Sequence, residues 1–194
     1  MQYRPGRIAV SAALCACLLA GCQPPAVTPS PNPTFKCTPE AGGAEFECSQ
    51  QQYDDMVAKD KLYAEAEAVY RRFLEEEVRV LRLGGTDAAT EVILETTAGA
   101  FRTEVLEDLR SAKANGVSVD AGSRVVKRVA RMPGVSKGGS RISLSICVDS
   151  TAVHFLENGR DAGFGSVTND DLYFAFDGDR LKVIGADGEE VDGC

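Results

Sequence analysis

The spacing of apolar residues changes at Gly116, and that change limits the fold more than any motif in the chain. Before it, Leu62, Ala66, Val69, Phe73 and Val80 recur at spacings of four, three, four and seven, and Tyr70 and Leu74 widen the stripe. This is the apolar face of an amphipathic helix. Ser49 and Gln52 open it as a capping box, and Gly84-Gly85 stops it near Leu83. Lys59, Lys61, Glu65, Arg72, Glu75 and Glu76 make up its solvated side. A shorter helix is predicted over Asp87 to Glu95, with Ala88, Val92 and Ile93 inward. Thr96-Thr97 then reads as the cap of a third helix, with Phe101, Val105, Leu109 and Ala112 on its inner face and Asn115-Gly116 at its end.

After Gly116 the period becomes two. Arg141 to Asp149 is the clearest case: Ile142, Leu144, Ile146 and Val148 alternate with Ser143, Ser145, Cys147 and Asp149. Further strands are predicted over Val125 to Met132, Ala152 to Leu156, Leu172 to Phe176 and Leu181 to Ile184. Asn158-Gly159 and Asp177-Gly178-Asp179 supply hairpin turns. Helices first and an antiparallel meander afterwards give an α+β fold, with the N-terminal helices packed on one face of a curved antiparallel sheet.

Residues 1–21 read as a bacterial lipoprotein signal peptide rather than as structure. Arg4 and Arg7 give the basic start, and the apolar run from Ile8 to Leu19 falls short of the roughly 20 residues that span a bilayer. Leu19-Ala20-Gly21-Cys22 has the form of a lipobox, so Cys22 is the expected site of lipid attachment. Several buried acyl chains, at about 0.8 kcal/mol per CH₂, hold a protein on a membrane where one chain does not. Residues 22–36 follow as a proline-rich disordered tether carrying Pro24, Pro25, Pro29, Pro31 and Pro33. The single folded domain is then expected over residues 37–194, lipid-anchored at the cell membrane on its extracytoplasmic side.

Loss of Arg4 and Arg7 with the leader deepens the formal net charge from −8 to −10. A chain this acidic is a poor partner for nucleic acid or for an anionic lipid surface. Four cysteines stay in the exported domain: Cys37, Cys48, Cys147 and Cys194. An even number in an oxidising compartment implies disulfides, with three connectivities open. The pairing favoured is Cys37–Cys48, closing a local loop where the tether ends, with Cys147–Cys194 stapling the C-terminus to a central strand. A metal site is the weaker reading, because the chain has one histidine and no Cys-x-x-Cys pair. No cofactor is implied.

The three helices, the Thr96-Thr97-Ala98-Gly99 junction and the ending Gly188-Glu189-Glu190-Val191-Asp192-Gly193-Cys194 resemble a group of actinobacterial lipoproteins of unknown function. Those proteins are similar to the broad NTF2-like (cystatin-like, cone-shaped) superfamily. The resemblance implies a cone of helices on a curved sheet. It includes enzymes such as ketosteroid isomerase and scytalone dehydratase, but neither motif maps onto this sequence, and no catalytic residue is carried over.

The chemical candidates read as follows. His154, the only histidine, stands at an alternating strand position in Val153-His154-Phe155, without the nucleophile and elbow that a hydrolytic triad needs. Gly163-Phe164-Gly165 lacks the third glycine of a nucleotide loop and is expected to be a loop. Asp177, Asp179 and Asp187 lack the ligand series of a calcium loop. Arg124, Lys127, Arg128 and Arg131 form a basic strand, expected to be an edge protected by charge, or else an interaction strip for a wall polymer or an acidic partner. Tyr53, Tyr63, Tyr70, Tyr173 and Phe176 are read as core in preference to a pocket lining. The functional expectation is therefore a non-catalytic envelope domain that binds a partner protein or a small apolar ligand. The alternative is a small lyase- or isomerase-type enzyme with a pocket Tyr or Asp.

Overall fold

The computed structural model describes residues 34–194, so the leader, Cys22 and nearly all of the tether lie outside the described residues. The described residues form one compact unit. It opens with a short hairpin, β1 (Phe35–Cys37) and β2 (Phe46–Cys48), closed by the Cys37–Cys48 disulfide. β1 begins two residues before the expected domain boundary, and the sequence reading contains neither strand. Three helices follow: α1 (Gln50–Arg82), α2 (Glu91–Thr96) and α3 (Gly99–Asn115). At 33 residues α1 is about 50 Å long. Among the described residues no helix is long and apolar enough to cross a membrane.

The helix ends follow local chemistry. Ser49 and Gln52 form the reciprocal capping box, and Gly84 and Gly85, both at positive φ, end α1. α2 starts later than predicted, because Thr90 caps it by accepting a bond from the Ile93 amide. Thr96 and Thr97 do not cap α3. Their hydroxyls donate back to the Val92 and Ile93 carbonyls at 2.7 and 2.6 Å, and Ala98 starts α3 without a side-chain cap. The inner face of α3 is Phe101, Val105, Leu109 and Ala112, as its spacing predicts.

Seven further strands run to the C-terminus: β3 (Val117–Ala121), β4 (Val125–Arg131), β5 (Ile142–Asp149), β6 (His154–Glu157), β7 (Arg160–Phe164), β8 (Val167–Asp177) and β9 (Arg180–Glu190). They form two open antiparallel sheets, ordered β3-β6-β7 and β4-β5-β8-β9. The pairings show how these derive from one meander. β3 pairs with β6 while β4 pairs with β5, and β6 pairs with β7 while β5 pairs with β8. Three long ribbons are thus each interrupted at one level, near residues 122–124, 150–153 and 165–166. Backbone groups cross closely there. A Cβ on Gly122 would strike the Ala152 carbonyl, and one on Gly165 would lie 2.6 Å from the Ser150 oxygen, so both positions require glycine.

The core forms between the helices and one side of the sheets. Tyr70, Phe73, Leu74 and Val78 of α1, with Phe101 and Leu109 of α3, cluster with Leu144, Ile146, Leu172, Phe174 and Val183. Phe73 and Phe101 meet edge to face with ring centres 5.3 Å apart. The buried stripe of α1 sits slightly off the predicted one. Tyr63 and Leu81 are buried, whereas Leu62 and Val69 are half-buried at its margin. Glu76, expected on the solvated side, is buried beneath the Arg79 guanidinium, which donates to both its oxygens at 2.6 and 2.7 Å.

The second disulfide joins Cys147 of β5 to Cys194. Both disulfides match the favoured pairing.

Candidate functional site

Tyr63, Tyr70 and Glu77 stand seven residues apart on α1. Seven residues make nearly two turns, so the three side chains project in one direction at intervals of about 10.5 Å. Each meets a partner from another part of the chain. The Tyr63 hydroxyl donates to Glu40 Oε1 at 2.7 Å, the Tyr70 hydroxyl to Asp170 Oδ2 at 2.6 Å, and Arg124 Nη1 to Glu77. β4 accompanies this seam in the opposite direction. Arg131 lies 4.7 Å from the centre of the Tyr63 ring at one end, and Arg124 reaches Glu77 at the other. Fourteen helical residues rise about 21 Å and seven strand residues about 23 Å, so helix and strand keep step.

Burial sets the protonation along the seam. It pushes the Tyr70 phenol well above its ordinary value, and the Asp170 carboxylate adds to the effect. Tyr70 therefore keeps its proton and donates it. Burial also raises the Glu77 carboxyl, against the attraction of Arg124. The Tyr63 phenol is raised by burial and then by Glu40. At Glu40 burial pulls upward too, but the bonds from Lys59 and Tyr63 outweigh it and lower the carboxyl. Arg124 Nε is buried and has no hydrogen-bond partner among the described residues.

A phenol beside a carboxylate supplies the parts of a general acid–base pair. Here the two groups satisfy one another. Asp170 lies on β8 at the same face as Leu172 and Phe174, and the Tyr70 ring packs against Phe73 with centres 6.0 Å apart. The open clefts lie elsewhere. One of about 240 Å³ sits between the disulfide hairpin and α1, lined by Phe46, Met56, Lys59 and Asp60. A slot of about 570 Å³ separates the loop Thr38–Gly42 from Val129–Arg131 of β4. A third, of about 290 Å³, lies between Leu74–Arg82 of α1 and Ser123–Val126. These three flank β4, a fourth of about 470 Å³ lies between Glu65–Arg72 of α1 and Asp179–Leu181, and none of the four includes Tyr70 or Asp170 in its lining.

His154 sits on the opposite side of β6 from the core-packed Phe155. Its Nδ1 is 2.7 Å from Asp120 Oδ1 and its Nε2 is 3.2 Å from Asp161 Oδ1, with the Phe164 ring 4.8 Å away. Bonds first to Asp120 and then to Asp161 raise its pKa above the ordinary histidine value. Only the doubly protonated ring donates to both carboxylates. With both nitrogens engaged, the imidazole is a clip between β3 and β7 rather than a base facing a nucleophile.

The other sequence candidates fall as follows. Gly163 and Phe164 belong to strand β7, a correction to the expected loop, because β7 pairs along β6. Asp177 pairs with Lys182 at 2.7 Å and Asp187 with Lys137 at 2.5 Å, while Gly178 takes the left-handed conformation of a hairpin turn. Among the described residues no cluster of three or more His, Cys, Asp or Glu is placed to hold a metal ion. β4 is an edge strand, and its basic residues bond locally: Lys127 to Asp149 at 3.3 Å, Arg128 to Asn169 at 3.3 Å and Arg131 to Asp60 at 2.6 Å. Of the aromatic residues, Tyr63, Tyr70 and Tyr173 are buried, Tyr53 packs on Phe35, and Phe176 is half exposed. Sequence reasoning missed the seam, although the recurrence Tyr63, Tyr70, Glu77 is visible in the chain. Glu40, Arg124 and Asp170 give no such sign, because only the fold brings them to α1.

Comparison with family models, curated proteins and solved structures finds no match for this chain.

Proposed function

We propose that this chain is a lipid-tethered extracytoplasmic domain, of NTF2-like architecture, that binds a partner at the cell envelope and carries out no reaction. The observation that carries the reading is the Tyr70–Asp170 pair. The two groups best suited to acid–base chemistry are closed onto one another at 2.6 Å, with the Tyr70 ring in the apolar core and Asp170 half-buried at its margin. Three of the clefts that open outward line the α1–β4 flank, two of them at the disulfide hairpin, where the tether enters. Binding of an envelope protein along this flank needs no rearrangement of the interior. The lipobox at Cys22 and the two disulfides suit the same compartment.

A lyase- or isomerase-type enzyme using Tyr70 and Asp170 is the second reading, and the short phenol–carboxylate bond is what favours it. Native mass spectrometry of residues 33–194, purified with disulfides intact, separates the two. The expected species is the empty, oxidised polypeptide. A small molecule that co-purifies with the wild type and is lost with Tyr70→Phe would transfer the function to the interior. The tether has its own check: Cys22→Ser is expected to abolish acyl labelling and to move the full chain from the membrane to the soluble fraction.

A further inference from the structure

β4 and β9 are the two edges of one four-stranded antiparallel sheet, and their charges are opposite. β4 carries Lys127 and Arg128 on an edge in a chain that is otherwise strongly acidic. β9 is covered over its first half, where Ala98 donates to the Val183 carbonyl at 2.8 Å and Thr97 bridges to Val183. Its second half, from Gly185 to Glu190, runs out exposed at Asp187, Gly188, Glu189 and Glu190, with exposed Asp192 just beyond. Among the described residues Glu189, Glu190 and Asp192 take part in no ion pair, although three carboxylates fall within four positions.

Edge strands present a row of free N–H and C=O groups, and charge on an edge commonly blocks unwanted pairing. The block works only against a like-charged edge. Two β4 edges repel, as do two β9 edges, but β4 of one molecule and β9 of another attract. The strand directions agree as well. In an antiparallel sheet of four strands the two edges run in opposite directions, so β9 of one copy laid beside β4 of a like-oriented copy is again antiparallel. That sense brings the acidic C-terminal end of β9 next to the N-terminal half of β4, where Lys127 and Arg128 stand. Val125, Lys127 and Arg128 are exposed in that half, where α1 faces Ser123–Val126 across one cleft and the loop Thr38–Gly42 faces Val129–Arg131 across another.

We infer that the β4 edge is a docking site for the C-terminal half of β9 from a second copy of this chain. The contact is head-to-tail rather than two-fold, so it extends the sheet from one molecule to the next and leaves a free β4 and a free β9 at the ends of each assembly. A membrane tether confines copies to one surface and raises their effective concentration for such a contact. The inference deepens the reading of the chain as a binding domain and rests on it for the absence of any competing interior ligand.

The test is sedimentation velocity on residues 33–194, the compact unit that holds both disulfides and the described core. Concentration-dependent association is expected in about 0.01 M salt and its loss in about 1 M salt, where the screening length falls from about 30 to about 3 Å. Lys127→Glu with Arg128→Glu, and separately Glu189→Lys with Glu190→Lys, should each give a monomer. Mixing these two variants should restore association, because each then offers the edge that the other needs; the β9 variant alters only exposed, unpaired side chains and serves if the β4 variant misfolds. A wild type that stays monomeric throughout, or association that survives both reversals, overturns the inference. A monomer that binds a synthetic acidic strand peptide at β4 also overturns self-pairing and gives that edge to a different protein. The mass-spectrometric test of an empty interior stands apart from all these outcomes.

Discussion

The two faces of the central strand β5 are buried by different means. On the front, Leu144, Ile146 and Val148 meet the aliphatic and aromatic side chains of α1 and α3. On the back, Ser143 and Cys147 are as deeply buried as the front residues, yet no helix covers them. The segment following β4 folds over that side instead, where the Ser143 hydroxyl donates to the Val135 carbonyl at 3.0 Å. Tyr173 donates to Asp187 at 2.9 Å under the Lys137 ammonium, and the disulfide to Cys194 holds the C-terminus down. Alternation along an antiparallel strand ordinarily signals one dry and one wet face. Here it separates a face packed by the hydrophobic effect from one closed by hydrogen bonds, an ion pair and a covalent staple.

Each face can be disrupted on its own. Phe174→Ala on the front removes the largest fully buried side chain and should cost about 3–5 kcal/mol in denaturant unfolding. On the back, Cys147→Ala with Cys194→Ala opens a loop of sequence separation 47 and should cost about 4 kcal/mol on the chain-entropy estimate. The two losses should differ in kind. Restoring aliphatic bulk at Phe174 should recover part of the first, whereas reducing agent should reproduce the second in the unmutated protein.

Polar substitutions sharpen the contrast at smaller scale. Tyr70→Phe leaves the half-buried Asp170 carboxylate without its donor and should cost about 1 kcal/mol. Tyr173→Phe should cost less in the same unfolding measurement, because Asp187 is exposed and keeps Lys137 at 2.5 Å.

The smallest effect is expected at His154, and it depends on pH. Its folded pKa is raised above the ordinary histidine value by the bonds to Asp120 and Asp161. The clip therefore contributes fully below the ordinary histidine value and is lost as pH rises through the raised one. Asp161 is held below its ordinary value, first by the Gly163 amide and then by His154, so its own contribution disappears only in acid. The thermal midpoint of the wild type should exceed that of His154→Gln at pH 6, and the two curves should converge by about pH 9. A gap that is constant across this range would show that the ring acts by packing on Phe164 alone.

Much of the architecture was legible because it depends on neighbours in sequence. The capping box at Ser49 and Gln52, the α3 stripe, the β5 alternation and the Asn158-Gly159 turn each combine residues within a few positions of one another. β7 was not legible. Arg160-Asp161-Ala162-Gly163-Phe164 has no strand pattern of its own and is extended because β6 offers it a ladder. The burial of Glu76 was hidden for a similar reason, since the chain near Thr90 closes over it only after α2 packs beside α1.

Helices first and an antiparallel meander afterwards, several of their turns and the favoured pairing of the cysteines could be read from the chain alone. These rest on local hydrogen bonding, on the spacing of apolar residues and on short-range loop closure. The break of one meander into two sheets, the seam in which three α1 residues gather Glu40, Asp170 and Arg124, and the burial of Ser143 and Cys147 on the back of β5 came only with folding. Those outcomes depend on groups as much as 100 residues apart, as Tyr70 and Asp170 are. Their energies exist only once the chain has folded around them.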